Sequence, residues 1–249
     1  MLPETEPAII APQREPEEEP ATPTVILTFT RPDYQALCRA AQVEEPPRQI
    51  WGCGCRVGNW KGLPLTVAAP ALGAPYAVMV LEKLIALGAR RVLALGWCGS
   101  LSPQARIGSL ILPDKAIPGD GTSPHYIGTK GEIFPHPGLF NLLHSALPAA
   151  EVPWTIGPVF SIDAFYRETP TLIRTCQAQG ALGIDLELAA LLAVACFRGV
   201  AAAGVLVVSD ELFTLEWRPA KGSQAFRAAR QAALRLVLDT AAAAGDLDV

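Results

Sequence analysis

One stretch constrains this chain more than any other: the apolar run at residues 92–95, which breaks into Gly96-Trp97-Cys98-Gly99-Ser100. Four consecutive apolar residues ending at a glycine describe a strand buried on both faces, as in sheets covered by helices on each side. Residues 108–113 then leave as a second apolar strand. The two glycines let backbone N–H groups approach a ligand closely, and open α/β sheets collect ligands where strands end in such loops. By spacing alone, the stretch reads as a tight turn between core strands.

The remaining elements follow the same alternation. Residues 25–29 form a first strand, and Pro32 suits an early position in the helix that follows. Residues 48–57 and 65–69 read as paired strands joined through the turn-rich Gly58-Asn59-Trp60-Lys61-Gly62. Gly52-Cys53-Gly54 does not complete a dinucleotide fingerprint, because position 57 is Val and no helix follows. Residues 73–89 place Val78, Leu81, Leu84, Ile85 and Gly88 on one helical side. A helix at 137–147, strands at 154–162 and 181–184, and an almost wholly apolar helix at 188–198 come next. Residues 200–208 form a fully apolar strand closed by Ser209-Asp210-Glu211, and 223–244 an alanine-rich terminal helix. Strands alternating with helices predict an α/β fold.

Two positions stand out chemically. Asp185 and Glu187 sit at the N-terminal end of the apolar 188–198 helix, where the helix dipole favours negative charge. Capping is the plainest role there, and Asp185 alone could supply it. Asp210 closes a buried strand, a setting that raises a carboxyl pKa and fits a proton donor. It reads equally as a surface or capping acid.

Composition narrows the function classes. With 249 residues, half of them hydrophobic and 18% charged, the chain is long enough for one large domain. A net charge of −4 without a Lys/Arg cluster leaves no nucleic-acid footprint. The six cysteines lack the paired spacing of a zinc site. His125, His136 and His144 stand eleven and eight residues apart, without the i,i+4 logic of a helical metal pair. No metal is expected. Residues 1–23, acidic and proline-rich, read as a disordered tail rather than a signal peptide, ahead of a single domain at 24–249. No apolar run reaches the ~20 residues that cross a membrane. A soluble cytoplasmic enzyme or binding protein is predicted.

Five motifs in order resemble the nucleoside phosphorylase superfamily, in the branch of uridine phosphorylases, purine nucleoside phosphorylases and nucleosidases. They are Gly96-Trp97-Cys98-Gly99-Ser100 with Ile107-Gly108-Ser109, Asp120-Gly121-Thr122-Ser123-Pro124-His125-Tyr126, residues 161–168, Gly183-Ile184-Asp185-Leu186-Glu187, and residues 207–212. The resemblance implies a three-layer α/β/α sandwich around a central mixed sheet, residues 24–249 as the catalytic domain, and cleavage of a ribosyl N-glycosidic bond. It implies that Glu187, with Leu186, holds the ribose hydroxyls, a carboxylate accepting two hydrogen bonds from a diol. It further implies that Asp210 assists departure of a purine-like base, that Phe165 and Tyr166 flank that base, and that Gly96, Trp97 and Cys98 face the nucleophile. Inorganic phosphate would be the co-substrate, no cofactor would be needed, and the protein would form a homo-oligomer (dimer, trimer or hexamer).

The chain departs from the family on the phosphate side. The Gly-Asp-Pro-X-Arg motif after the first strand is absent, leaving Arg31 as the nearby cation. Arg48 and Arg56 are the candidates for an arginine that crosses a subunit interface. Ala94 and Trp97 stand where relatives carry a phosphate-binding arginine and a hydroxyl residue. A phosphate dianion without paired cations is costly to desolvate. Three readings therefore stay open: phosphorolysis to base and ribose 1-phosphate, hydrolysis by water, and nucleoside binding without catalysis.

Overall fold

The computed structural model describes residues 8–43, 48–127 and 132–247. In chain order the elements are β1 Thr24–Thr28, α1 Arg31–Ala40, β2 Arg48–Ile50, β3 Cys53–Trp60, β4 Leu63–Ala69, α2 Ala74–Ala86, β5 Arg91–Ser100 and β6 Leu110–Gly119. There follow α3 Pro124–Ile127, α4 Pro137–Ala146, β7 Trp154–Ile162, α5 Pro170–Ala178, β8 Gly183–Asp185, α6 Leu188–Arg198, β9 Ala201–Glu211, β10 Arg218–Pro219 and α7 Gln224–Ala243.

The strands join one mixed sheet in the order β10-β9-β6-β7-β8-β5-β1-β4-β3-β2, with β9 also paired to β5. Alternation along the central strands feeds two cores. Val25, Leu27, Val92, Ala94, Cys98, Leu206 and Val208 pack against α2 and α6. Ile26, Leu93, Leu95, Val205 and Val207 pack against α1, α4 and α7. This is the expected α/β/α sandwich. Strands buried on both faces must be apolar at every position, which is why 92–95 and 200–208 were recognisable.

One difference bears on the site. Gly96 to Ser100 is strand rather than loop: β5 runs to Ser100 and pairs with β9 over its whole length. The space beside its glycines is filled by protein. A Cβ at Gly96 would lie 2.8 Å from both Phe29 and Leu206, and one at Gly99 would meet Leu212 at 2.8 Å and Asp210 Oδ2 at 3.1 Å. Of the amino-terminal segment expected as a tail, residues 1–7 lie outside the described ones and residues 8–23 form no helix or strand. The Ala21 N–H donates to Leu87 O, and Lys83 donates to Glu18 and to Gln13 O.

Candidate active site

The site is built where β5, β8 and β9 end. Asp185 closes β8 and is buried. Its carboxylate accepts the Leu188 N–H at 2.8 Å, the Glu187 N–H at 3.3 Å and the Ser161 hydroxyl. Asp185 therefore caps α6, satisfying amides that the first turn leaves orphaned. Glu187 is released from that duty. Its side chain makes no cap bond, and Oε1 instead accepts the Gly73 N–H at 2.7 Å, 114 residues away. Gly73 holds φ +88°, a left-handed conformation suited to glycine.

Asp210 reaches the same region because β9 carries a bulge. Cys98 pairs with Val208 and Gly99 with Asp210, so Ser209 is the extra residue. The Asp210 carboxylate accepts Ser209 Oγ at 2.6 Å and Trp217 Nε1 at 3.1 Å. Cys98, fully buried, feels the charges of both Asp185 and Asp210. Burial first, then those charges, push its thiol far above the ordinary range, so it stays a neutral packing group.

All four acids here are pushed upward. Burial raises the Glu187 carboxyl, and the Asp185 charge raises it further against the Gly73 N–H. Burial raises Asp185 against the donors from Ser161, Leu188 and Glu187. Burial raises Asp210 against Ser209 and Trp217. Glu168, just past the end of β7, is raised to about 7 by burial and then by the charge of Asp210. No Lys, Arg or His bonds any of the four among the described residues. Buried carboxyls with only neutral donors favour the protonated form, which can deliver a proton, while the ionised form can accept a diol's hydroxyls.

The other predicted residues separate. Leu186 is half-buried and packs beside α5. Phe165 is 40% exposed and Tyr166 95% exposed, their rings edge to face 5.1 Å apart at the rim. Gly96 is covered by Phe29. Trp97 faces away from the acids, toward α1 and α7: its Nε1 donates to Asp33 Oδ2 at 2.7 Å. Asp33 in turn accepts Arg230 Nε and Nη2 at 2.9 and 2.6 Å, and the guanidinium stacks 5.2 Å above the Trp97 ring. Arg31 is exposed at the start of α1. Arg48 lies on edge strand β2, bonded to Cys55 Sγ and Glu19 O. Four strand spacings from β5, about 19 Å, it does not join the acids within this chain. Arg56 lies over the Tyr34 ring. Asp120 accepts the Thr122 and Ser123 N–H groups, an Asx-type turn, and His125 is exposed.

Sequence reasoning missed Glu168 as a perturbed acid, the Gly73 N–H as partner to Glu187, and the Asp33–Arg230 pair. Nothing local signals a pair separated by 197 residues.

Known proteins resemble this chain in sequence and in fold. The sequence model of the Phosphorylase superfamily matches residues 23–243. A DeoD-type purine nucleoside phosphorylase of Myxococcus xanthus is 31% identical over 163 residues, 64% of this chain and 67% of that one. A guanosine phosphorylase of Halorubrum lacusprofundi is 27% identical over 154 residues, 62% of this chain and 64% of that one. Among solved structures, a uridine phosphorylase of Vibrio fischeri superposes with a TM-score of 0.80 at 24% identity, covering 90% of this chain and 92% of that one. A purine nucleoside phosphorylase of Toxoplasma gondii in complex with immucillin-H gives 0.79 at 20% identity, over 90% and 91%. With a model match spanning nearly the whole sheet and its helices, this chain belongs to the phosphorylase superfamily.

Proposed function

We propose that this enzyme cleaves the N-glycosidic bond of a nucleoside with a purine-like base, by phosphorolysis to the free base and ribose 1-phosphate. The observation that carries the reading is Glu187: a buried carboxylate at a helix N-terminus, freed from capping by Asp185 and held by one N–H. In its ionised form such a group accepts two hydroxyls of a ribose and favours positive charge as the sugar becomes oxocarbenium-like. Asp210, protonated to higher pH than an ordinary aspartate, donates to the leaving base. A phosphate oxygen bonds to C1′ as the C1′–N bond breaks, and the electron pair leaves with the base. The base takes the Asp210 proton, which monohydrogen phosphate then replaces.

The purine and guanosine phosphorylases among the relatives support this choice of base and nucleophile. Phe165, less exposed than Tyr166, is the aromatic we assign to the base. We read residues 24–249 as one catalytic domain in a cytoplasmic homo-oligomer. No helix among the described residues is long and apolar enough to cross a membrane.

One observation favours a second reading, hydrolysis. Four acids without a basic partner suit a neutral nucleophile better than a dianion. Base release from purine nucleosides and uridine, followed by HPLC with and without phosphate, separates the cases. Phosphate-dependent release with ribose 1-phosphate as product is expected. Free ribose at equal rates without phosphate replaces phosphate with water, and no release from any nucleoside overturns the reading.

A further inference from the structure

Among the described residues, three indole N–H groups donate to aspartates, and one of the three pairs stands apart. Trp97 Nε1 meets Asp33 at 2.7 Å and Trp60 Nε1 meets Asp239 at 2.8 Å. Each of those carboxylates is shared with a cation, Arg230 in the first case and Lys61 in the second. Trp217 Nε1 meets Asp210 Oδ2 at 3.1 Å, and among the described residues no cation shares that acid.

The chain brings Trp217 there by a short return. β9 ends at Glu211, residues 212–217 turn back, and β10 pairs Arg218 with Glu211 and Pro219 with Asp210. Leu215 stands in that turn at φ +65°, a left-handed conformation that is costly for a residue other than glycine. The turn is anchored without the indole. The Leu212 N–H donates to Ser100 O at 2.9 Å, Gln177 Nε2 to Phe213 O at 3.3 Å, and the Ala220 N–H to Ser209 O at 2.8 Å. Trp217 itself is 58% exposed, against 8% for Asp210. A ring kept mostly in solvent adds little to the core, so its bond to Asp210 is the contact that its position secures.

The two partners of Asp210 act differently. Ser209 Oγ lies 2.6 Å from Oδ1 and 3.2 Å from Cys98 O. Its single hydrogen can go to Oδ1 when Asp210 is ionised, or to Cys98 O when the protonated acid donates to Oγ, so it serves both forms. An indole N–H only donates. Trp217 therefore favours the carboxylate over the acid.

We propose that Trp217 is a positioning residue for the leaving-group acid: its N–H fixes Oδ2 and stabilises the carboxylate that remains once the base has taken the proton. This rests on the reading that Asp210 protonates the departing base. As the C1′–N bond breaks, the proton passes from Asp210 to the base and negative charge grows on the carboxyl group. The hydrogen bond from the indole strengthens with that charge, while Trp217 keeps its own hydrogen. Two other titratable groups face Asp210: Glu168 past the end of β7, and Cys98 on β5, which stays neutral. Glu211, next along β9, is turned to Arg106 at 2.8 Å, and Arg218 on β10 pairs with Glu216.

Trp217→Phe keeps a ring and removes the donor. On a purine nucleoside, kcat is expected to fall about 10–100-fold, the scale of a hydrogen bond to a charged group. On the N7-methylated nucleoside, whose base leaves without taking a proton, kcat should be nearly unchanged. A donor to the charged form holds a carboxyl pKa down, so the alkaline fall of the rate should move to higher pH in the variant. The titration of Asp210 itself, followed at its carboxyl carbon by NMR, should move the same way and needs no turnover. Equal losses on both nucleosides would make Trp217 a structural latch and overturn the proposal, as would an Asp210 titration that stays in place. Asp210→Asn separates the proposal from the reading beneath it. Full turnover in that variant removes the acid role of Asp210 and the proposal with it. A slow Asp210→Asn beside an unaffected Trp217→Phe removes the proposal alone.

Discussion

Two buried acids in this molecule, Asp33 and Glu187, are equally hidden and chemically opposite. Asp33 is 1% exposed and meets Arg230 through two bonds to one oxygen and Trp97 through the other. Glu187 is 3% exposed and meets one backbone N–H. Burial alone therefore does not mark a reactive carboxylate. The partner does. A fully paired charge holds helices to the sheet, whereas one left with neutral donors is raised and ready to exchange protons or hydroxyls. The first lies on the α1/α7 side of β5, the second on the α2/α6 side.

The largest effect should come from breaking the paired end. Arg230→Ala leaves Asp33 buried without its cation, which costs about 3–5 kcal/mol. Urea denaturation reads this directly. An undiminished stability would remove the contrast between the two acids.

Asp210→Asn sharpens the other side. It should lower kcat about 10²–10³-fold, the range for losing a positioned acid, while Ser209 and Trp217 keep neutral partners. The wild-type rate should fall as pH rises through the raised Asp210 pKa, because the protonated form is the donor. The variant should lack that limb of the profile. An identical profile in both would assign the proton to another group.

Gly96→Ala tests whether the strand glycine serves packing. Its Cβ would stand 2.8 Å from Phe29 and Leu206, so overpacking should cost about 1–3 kcal/mol. A neutral result would mean that Phe29 yields the space to a ligand.

The smallest effect belongs to Glu168. Its folded pKa of about 7 lies above the ordinary 4.5, so the folded state holds the proton more tightly than the unfolded one. Its contribution to stability falls as pH rises from 4.5 to about 7 and is constant above. Glu168→Gln should therefore raise Tm relative to wild type at pH 8 and leave it nearly unchanged at pH 4. Equal shifts at both pH values would deny the raised pKa.

How much of this was legible depends on whether the cause was local. Apolar runs at 92–95 and 200–208 and the greasy helix at 188–198 announce strands and a helix deep in the fold, because burial on all sides tolerates little else. Asp185, Glu187 and Asp210 were visible as acids at the ends of such elements. The pairing of residues distant in sequence was not. Gly96 and Gly99 read as loop because glycines usually break strands, and only the packing of Phe29, Leu206 and Leu212 shows why this strand needs them. Trp97 looked like part of the nucleophile pocket, but its indole is drawn to Asp33 and Arg230 on the opposite side. Tyr166 read as a base contact from its motif, and in this chain it stands in solvent.

The division between the two acids is tested most directly by base release from a ribonucleoside and its 2′,3′-dideoxy counterpart, with wild type and Glu187→Gln. Asp185 keeps the α6 cap in that variant, so the fold should stand. The account predicts a loss in kcat/KM of about 10²–10³-fold on the ribonucleoside and almost none on the dideoxy substrate, which has no diol for Glu187 to hold. Equal losses on both substrates, or none on either, would contradict it.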